Sequence, residues 1–237
     1  MNKRLITQTK QRFASEVLWH FVGYNKSEDE QYKTLLSILK DGLRKDESSK
    51  GTEFKFVDNR TKKPVTLYGY PVVCLADIPF KDLHIHAERY GRFAIGFHKE
   101  SVICNRFNPV LYVNQHSNLF HRFIELELEI IAYLERTNKE VANKFHELLL
   151  YLGSLAKSGD LKANPENRID WDDLQINNFY YEREWRSIYD WNFKNEDIAA
   201  IIIPDHRIRD FIKDMKSHSL IIGEVTPIIP FSMIYTL

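Results

Sequence analysis

At 237 residues, 43% of them hydrophobic and 13% aromatic, the chain carries enough apolar side chains for one large domain with a core, which excludes disorder over its length. Its 33 Lys and Arg balance 33 Asp and Glu, so the formal net charge is zero; a general nucleic-acid coat or a polybasic membrane surface needs an excess of positive charge, and only a local basic patch is left open. The two cysteines, Cys74 and Cys104, have no paired spacing, offer neither a zinc knuckle nor a disulfide framework, and suit small apolar side chains in a reducing compartment.

The N-terminal stretch MNKRLITQTKQRF is charged and lacks the apolar run of a signal peptide. The longest apolar runs elsewhere, such as 198–204, fall far short of a membrane span, so the expectation is a cytoplasmic protein without a membrane partner. Residues 17–22 (VLWHFV) read as a strand with His20 in its middle. Ser27, with Glu30 three positions on, makes a capping box, and Tyr32, Leu35, Leu36, Leu39 and Leu43 repeat at helical spacing. Gly42 supplies a left-handed stop.

The polar run from Asp46 to Lys63 reads as a long surface loop or lid. A strand around Val72 to Leu75 follows, closed by Asp77 and Pro79. A short helix over Asp82–Arg89 leads to strands at Phe93–Phe97 and Val110–Val113. Residues 119–157 contain no proline and are rich in Leu, Glu, Lys and Ala. Leu119, Phe123, Leu126, Ile130 and Leu134 fall on one stripe, and Val141, Phe145, Leu148, Leu149 and Leu152 on another, which predicts two helices broken near Thr137-Asn138. After a polar loop at Lys157–Trp171 come a strand at 181–189 (YEREWRSIY) and a buried strand at 198–204. A helix over His206–Lys216 and two last strands, LIIGEV and IIPFSMIY, close the chain. With no repeat and no linker, the expectation is a single domain over 1–237. Irregularly spaced strands and clustered helices favour an α+β fold with a mixed, mostly antiparallel sheet and a helical insertion at about 119–157. Neither GxGxxG nor GxxxxGK[ST] occurs, so no Rossmann or P-loop phosphate cradle is supported.

The most charged strand candidate is Tyr181-Glu182-Arg183-Glu184-Trp185-Arg186. In an extended chain Glu182, Glu184 and Arg186 share one face, while Tyr181, Arg183 and Trp185 take the other. Two readings stand side by side: a solvated face with cross-strand ion pairs of about 0.2–1 kcal/mol each, or a pair of carboxylates lining a cleft, with Arg186 holding one ionised. His20, between Trp19 and Phe21, is either a satisfied core histidine or a site residue. His84 and His86, with Asp77 and His98, invite a metal; yet residues two apart share a face only on a strand, the segment reads as helix, and no HExxH occurs, so no metal is assigned. Gly91 is a positive-φ turn, or lets a ligand approach the backbone with Tyr90 stacked upon it. Tyr112, Phe107 and Phe231 read as core.

Read together, several of these segments resemble the AbiGi family of bacterial abortive-infection proteins. The matching pieces are Trp19-His20-Phe21 with Ile38-Leu39 and Gly42-Leu43, VCLADIPF at 73–80, HAERYGRFAIGFHK at 86–99, NPVLYV at 108–113 and YEREWRSI at 181–188. Their order covers about four-fifths of the chain. The resemblance implies one AbiGi-like domain in anti-phage defence, acting as antitoxin or regulator by binding a cognate, nucleotidyltransferase-like toxin. A fainter likeness, carried by a His-bearing strand followed at once by a helix ending ILxxGL, is to DarT-like ADP-ribosyltransferases. It implies an alternative, NAD as substrate, with His20 holding the ribose, Tyr90 packing on nicotinamide beside Gly91, and Glu184 facing the reacting carbon. Glu182 completes an ExE-like pair and Arg186 lies beside it. Under an enzymatic reading the expectation is that His20, Tyr90, Glu182, Glu184 and Arg186 lie near one another at one cleft.

Overall fold

The computed structural model describes residues 15–45, 53–57, 64–114, 118–159, 182–217, 220, 222, 223 and 225–236. In chain order, β1 (Val17–Phe21) leads into helix α1 (Glu28–Asp41), then β2 (Glu53–Val57), β3 (Pro64–Tyr68), β4 (Val73–Ala76), α2 (Leu83–Tyr90), β5 (Ala94–His98) and α3 (Lys99–Cys104). β6 (Asn108–Pro109) and β7 (Leu111–Asn114) precede the long helices α4 (Asn118–Thr137) and α5 (Lys139–Ser154). β8 (Ala156–Gly159), β9 (Glu184–Ser187), β10 (Ile198–Ile203), α6 (Ile208–Ser217) and β11 (Ile228–Pro230) complete the set. The α+β expectation holds: a seven-stranded sheet runs β11-β10-β5-β1-β4-β9-β6, antiparallel at every pairing except β10 with β11. No helix among the described residues is long and apolar enough to cross a membrane.

Local chemistry explains the well-read elements. The Ser27 side chain accepts the Glu30 amide and the Glu30 carboxylate accepts the Ser27 amide, closing both ends of the capping box. Gly42, at φ 86°, stops α1. The break between α4 and α5 is Asn138, whose side chain accepts the Val141 amide and caps α5.

Other segments differ from the reading. The run 46–63 is not all loop, because 53–57 is a strand paired in register with 64–68; Phe54 and Phe56 alternate with Glu53 and Lys55, a period of two masked by the surrounding charge. The loop expected from Lys157 overlaps β8, which lies parallel to β7, and its remainder beyond 159 lies outside the described residues, as does Tyr181. The extended run 181–189 shortens to β9: Arg183 has φ 40°, and the Asp77 amide donates to the carbonyls of Glu182 (3.2 Å) and Arg183 (3.3 Å), turning the chain just before the strand. LIIGEV forms no strand among its described residues, since 228–230 takes the free edge of β10. IIPFSMIY is strand only to Pro230, which has no N–H to continue a ladder; 231–235 winds into a 3₁₀ helix whose Ser232 is held by Asp205.

The sheet is packed on both faces. One carries Leu18, Val22, Leu75, Ile95, Phe97 and Ile201 under α1 and α6; the other carries Trp19, Phe21, Ala76, Ala94 and Ile202 under Leu83 and Ala87 of α2 and Ile234. Each fully buried Leu, Ile or Phe contributes about 1.5–3 kcal/mol to this arrangement.

Candidate functional site

The register decides which predicted residues meet. Trp19 stands opposite Ala76, and Ala76 opposite Glu184, so these three side chains project from the same face, with Cys74 and its partner Arg186. His20 stands opposite Ile95 and leaves β1 with Leu18 and Val22, on the other face. The expected convergence of His20 and Glu184 is therefore not found: the sheet lies between them. The half-buried His20 ring bonds through Nδ1 to the Cys74 carbonyl at 2.9 Å. Burial holds its pKa below the usual 6.5, partly opposed by that hydrogen bond.

Glu184 and Arg186 do meet, as the spacing on β9 requires. Arg186 Nε donates to Glu184 Oε1 at 2.9 Å and Nη2 to Oε2 at 3.1 Å, a two-pronged pair buried on both sides. The remaining Nη1 reaches the Ser154 carbonyl at 2.9 Å and the Ala156 carbonyl at 3.0 Å. The last carbonyls of a helix have no partner within it, so Arg186 caps α5 and ties the helical insertion to the sheet. Burial opposes the guanidinium charge, but Glu184 more than offsets it and holds the Arg186 pKa above its ordinary value. Both oxygens of Glu184 and three nitrogens of Arg186 are occupied by protein groups.

Glu182 lies on the same side of the sheet but in a different setting. Its buried carboxylate accepts the Tyr90 hydroxyl at 2.8 Å. Tyr90 ends α2, with its ring against His86 (centroids 4.3 Å apart), which in turn meets Phe21 edge-on at 5.0 Å. His86 and Tyr90 are four residues apart on α2 and so share its inner face. Gly91 is at φ 93°, and a Cβ there would lie 2.4 Å from Gln31 Oε1 and 2.7 Å from Gly23 Cα. The space beside Gly91 is thus filled by the chain itself, and its smallness fixes Tyr90 against Gly23, whose amide donates to the Tyr90 carbonyl at 2.7 Å.

Two contributors take roles other than those the sequence suggests. Tyr112, read as core, places its hydroxyl where the Glu184 amide donates to it at 2.7 Å, and burial, with Glu184 and Glu182 adding to it, pushes its pKa upward. Only the fold joins residues 72 positions apart. Asp77, noted in the sequence as a metal candidate, instead anchors the turn before β9: its side chain accepts the Ser15 amide at 2.8 Å and Lys99 Nζ at 2.7 Å, with Arg183 Nη2 at 3.7 Å. Among the described residues no group of three or more His, Cys, Asp or Glu is arranged to hold a metal ion.

This frame, with Tyr90, Glu182, Glu184 and Arg186 on one side of the sheet, falls inside a family match. Residues 48–210 fit the family described as "Putative abortive phage resistance protein AbiGi, antitoxin". The chain belongs to the AbiGi family. It is similar to the abortive phage resistance protein AbiGi of Lactococcus lactis subsp. cremoris, 25% identical over 171 residues that cover 67% of this chain and 65% of the relative. The chain thus spans about two-thirds of the length of that curated AbiGi protein. No solved structure matches it. The AbiGi match begins after β1 and α1, so it takes in Glu182, Glu184 and the α4–α5 insertion but not His20.

Proposed function

We propose that the chain serves abortive-infection defence as an antitoxin, by binding a cognate toxin protein of the nucleotidyltransferase-like kind. The observation that carries this reading is the outer surface of the helical insertion. Leu126 and Tyr133 on α4 are 57% and 66% exposed, and Val141, Leu148 and Leu152 on α5 are exposed as well. Residues four and seven apart lie on one stripe of a helix, so each of the two helices leaves apolar side chains uncovered. An exposed apolar row bordered by charge is what a protein interface needs. The insertion is also fastened to the sheet through Arg186, which holds such a row at a fixed orientation. The test is co-purification of the tagged chain with a co-expressed nucleotidyltransferase-like toxin. A stable complex is expected with the wild type and is lost with Tyr133→Glu and Leu148→Glu; absence of any complex at micromolar concentration rejects the reading.

A second reading, NAD consumption of the ADP-ribosyltransferase kind, is favoured by one observation: the Tyr90 hydroxyl on the Glu182 carboxylate. In such a reaction the nicotinamide–ribose bond breaks, nicotinamide leaves with the bonding pair, and the positive charge left on the ribose is stabilised by a fixed carboxylate before an acceptor oxygen attacks and loses its proton. Glu184 is already neutralised by Arg186, so this reading assigns the role to Glu182. Nicotinamide release from NAD, present in wild type and absent in Glu182→Gln, is its expected result; no release by the wild type eliminates it.

A further inference from the structure

The aromatic chain that starts at buried Phe21 and passes through His86 and Tyr90 does not end inside the protein. Tyr24 continues it, its ring centroid 5.8 Å from that of Tyr90 and its side chain 53% exposed. The Arg89 guanidinium stands over both rings, 6.0 Å from the centroid of Tyr24 and 5.5 Å from that of Tyr90. The surface loop is not loosely held. Gly23 and Gly91 are pressed together so closely that a Cβ on Gly23 would lie 2.6 Å from Gly91 Cα, and Asn25 turns the chain at φ 54°. Gln31 ties the two sides, donating to the Lys26 carbonyl and accepting the Arg92 amide, both at 3.0 Å. The Arg89 guanidinium thus lies beside one exposed aromatic ring that is backed by a second, while Lys26 Nζ turns away to Thr34 and Arg92 to the Phe231 ring.

We propose that the Tyr24–Arg89–Tyr90 shelf is a nucleotide-binding platform, with a base stacked on Tyr24 and its phosphate at Arg89. A tyrosine ring held from behind and open in front accepts any planar π-system, and base stacking on such rings is tolerant of base identity. Arg89 selects among planar ligands. A cationic guest is repelled by Arg89, whereas an anionic one is drawn to it, and a guanidinium pairs two-pronged with phosphate oxygens. Buried Glu182, behind Tyr90, directs the phosphate to the outer, Arg89 side. The site is separate from the insertion surface assigned to the toxin, and it takes nucleotides that contain no nicotinamide.

The same chemistry is offered by a free nucleotide and by a unit of a single strand, and one titration distinguishes them. Purified full-length protein at low salt is titrated with AMP, followed by tyrosine fluorescence, and with a fluorescein-labelled 12-nucleotide single-stranded oligonucleotide, followed by anisotropy. Binding of AMP weakened about ten-fold or more by Tyr24→Ala assigns the shelf to free nucleotides. Binding of the oligonucleotide alone, weakened likewise by Tyr24→Ala and made less salt-dependent by Arg89→Gln, assigns it to a strand. Tyr24→Phe retains affinity in either case. Tyr24 is exposed, so its variants keep the fold, checked by circular dichroism. Failure of both probes to bind up to millimolar concentration, or binding indifferent to both Tyr24→Ala and Arg89→Gln, overturns the proposal.

Discussion

Two halves of one short motif behave differently. Glu184 and Arg186 face each other on β9 and are saturated, each carboxylate oxygen and three guanidinium nitrogens engaged with protein partners. Glu182, two residues earlier and beyond the turn at Arg183, joins Tyr90 and through it an aromatic chain that reaches solvent at Tyr24. The first half is a fastener between insertion and sheet, while the second leads from a buried carboxylate to an exposed ring. Identical residue types within one motif thus carry different roles because a single positive-φ residue divides them.

The sharpest test of that contrast is Arg186→Met. It leaves Glu184 buried without Arg186 and takes the guanidinium from the Ser154 and Ala156 carbonyls, and is expected to cost about 3–5 kcal/mol in urea unfolding. The double variant Glu184→Gln/Arg186→Met should recover a large part of this; equal losses would break the idea of a mutually compensated pair. Tyr90→Phe, on the other half, removes one hydrogen bond to a carboxylate and should cost no more than about 1.5–3 kcal/mol by the same measurement. A loss matching that of Arg186→Met would mean the Tyr90–Glu182 half is structural too.

His20, on the far face, gives a pH-dependent comparison. Its folded pKa lies below the ordinary 6.5, so between those two values the unfolded chain binds a proton that the folded chain does not. Stability therefore rises with pH through that window, and the contribution is complete above 6.5. The thermal midpoint should fall on acidification from pH 7 towards 5, and His20→Gln should flatten this fall; an unchanged slope would contradict the buried, neutral imidazole. The smallest effect is expected from Leu148→Glu on the exposed stripe of α5, within about 0.5 kcal/mol of wild type. A larger loss would show that the stripe is covered by the chain itself.

The parts of this fold that were legible in sequence are the local ones. Ser27 with Glu30 and Gly42 marks α1 at both ends, and Asn138 marks the break between the long helices, because each signal is satisfied within a few residues of its own position. Alternation likewise gave the pairing of Glu184 with Arg186, which needs only one strand. It did not reveal which face of β1 matches which face of β9, since β4 lies between them and its register sets the answer; His20 was therefore grouped with residues across the sheet. Tyr112 and the Ser154 and Ala156 carbonyls enter the site from distant segments, and nothing near them in sequence announces it. Apolar periodicity placed α4 and α5 correctly but left open what covers their stripes, because periodicity reports an apolar face and not its partner.

The most direct test of the account is growth rescue in cells that express the proposed nucleotidyltransferase-like toxin together with this chain. Wild type, Tyr24→Ala and Glu182→Gln should each restore growth, whereas the paired change Tyr133→Glu and Leu148→Glu should not, with its melting midpoint unchanged. Full rescue by the paired variant would contradict toxin binding through the α4–α5 insertion.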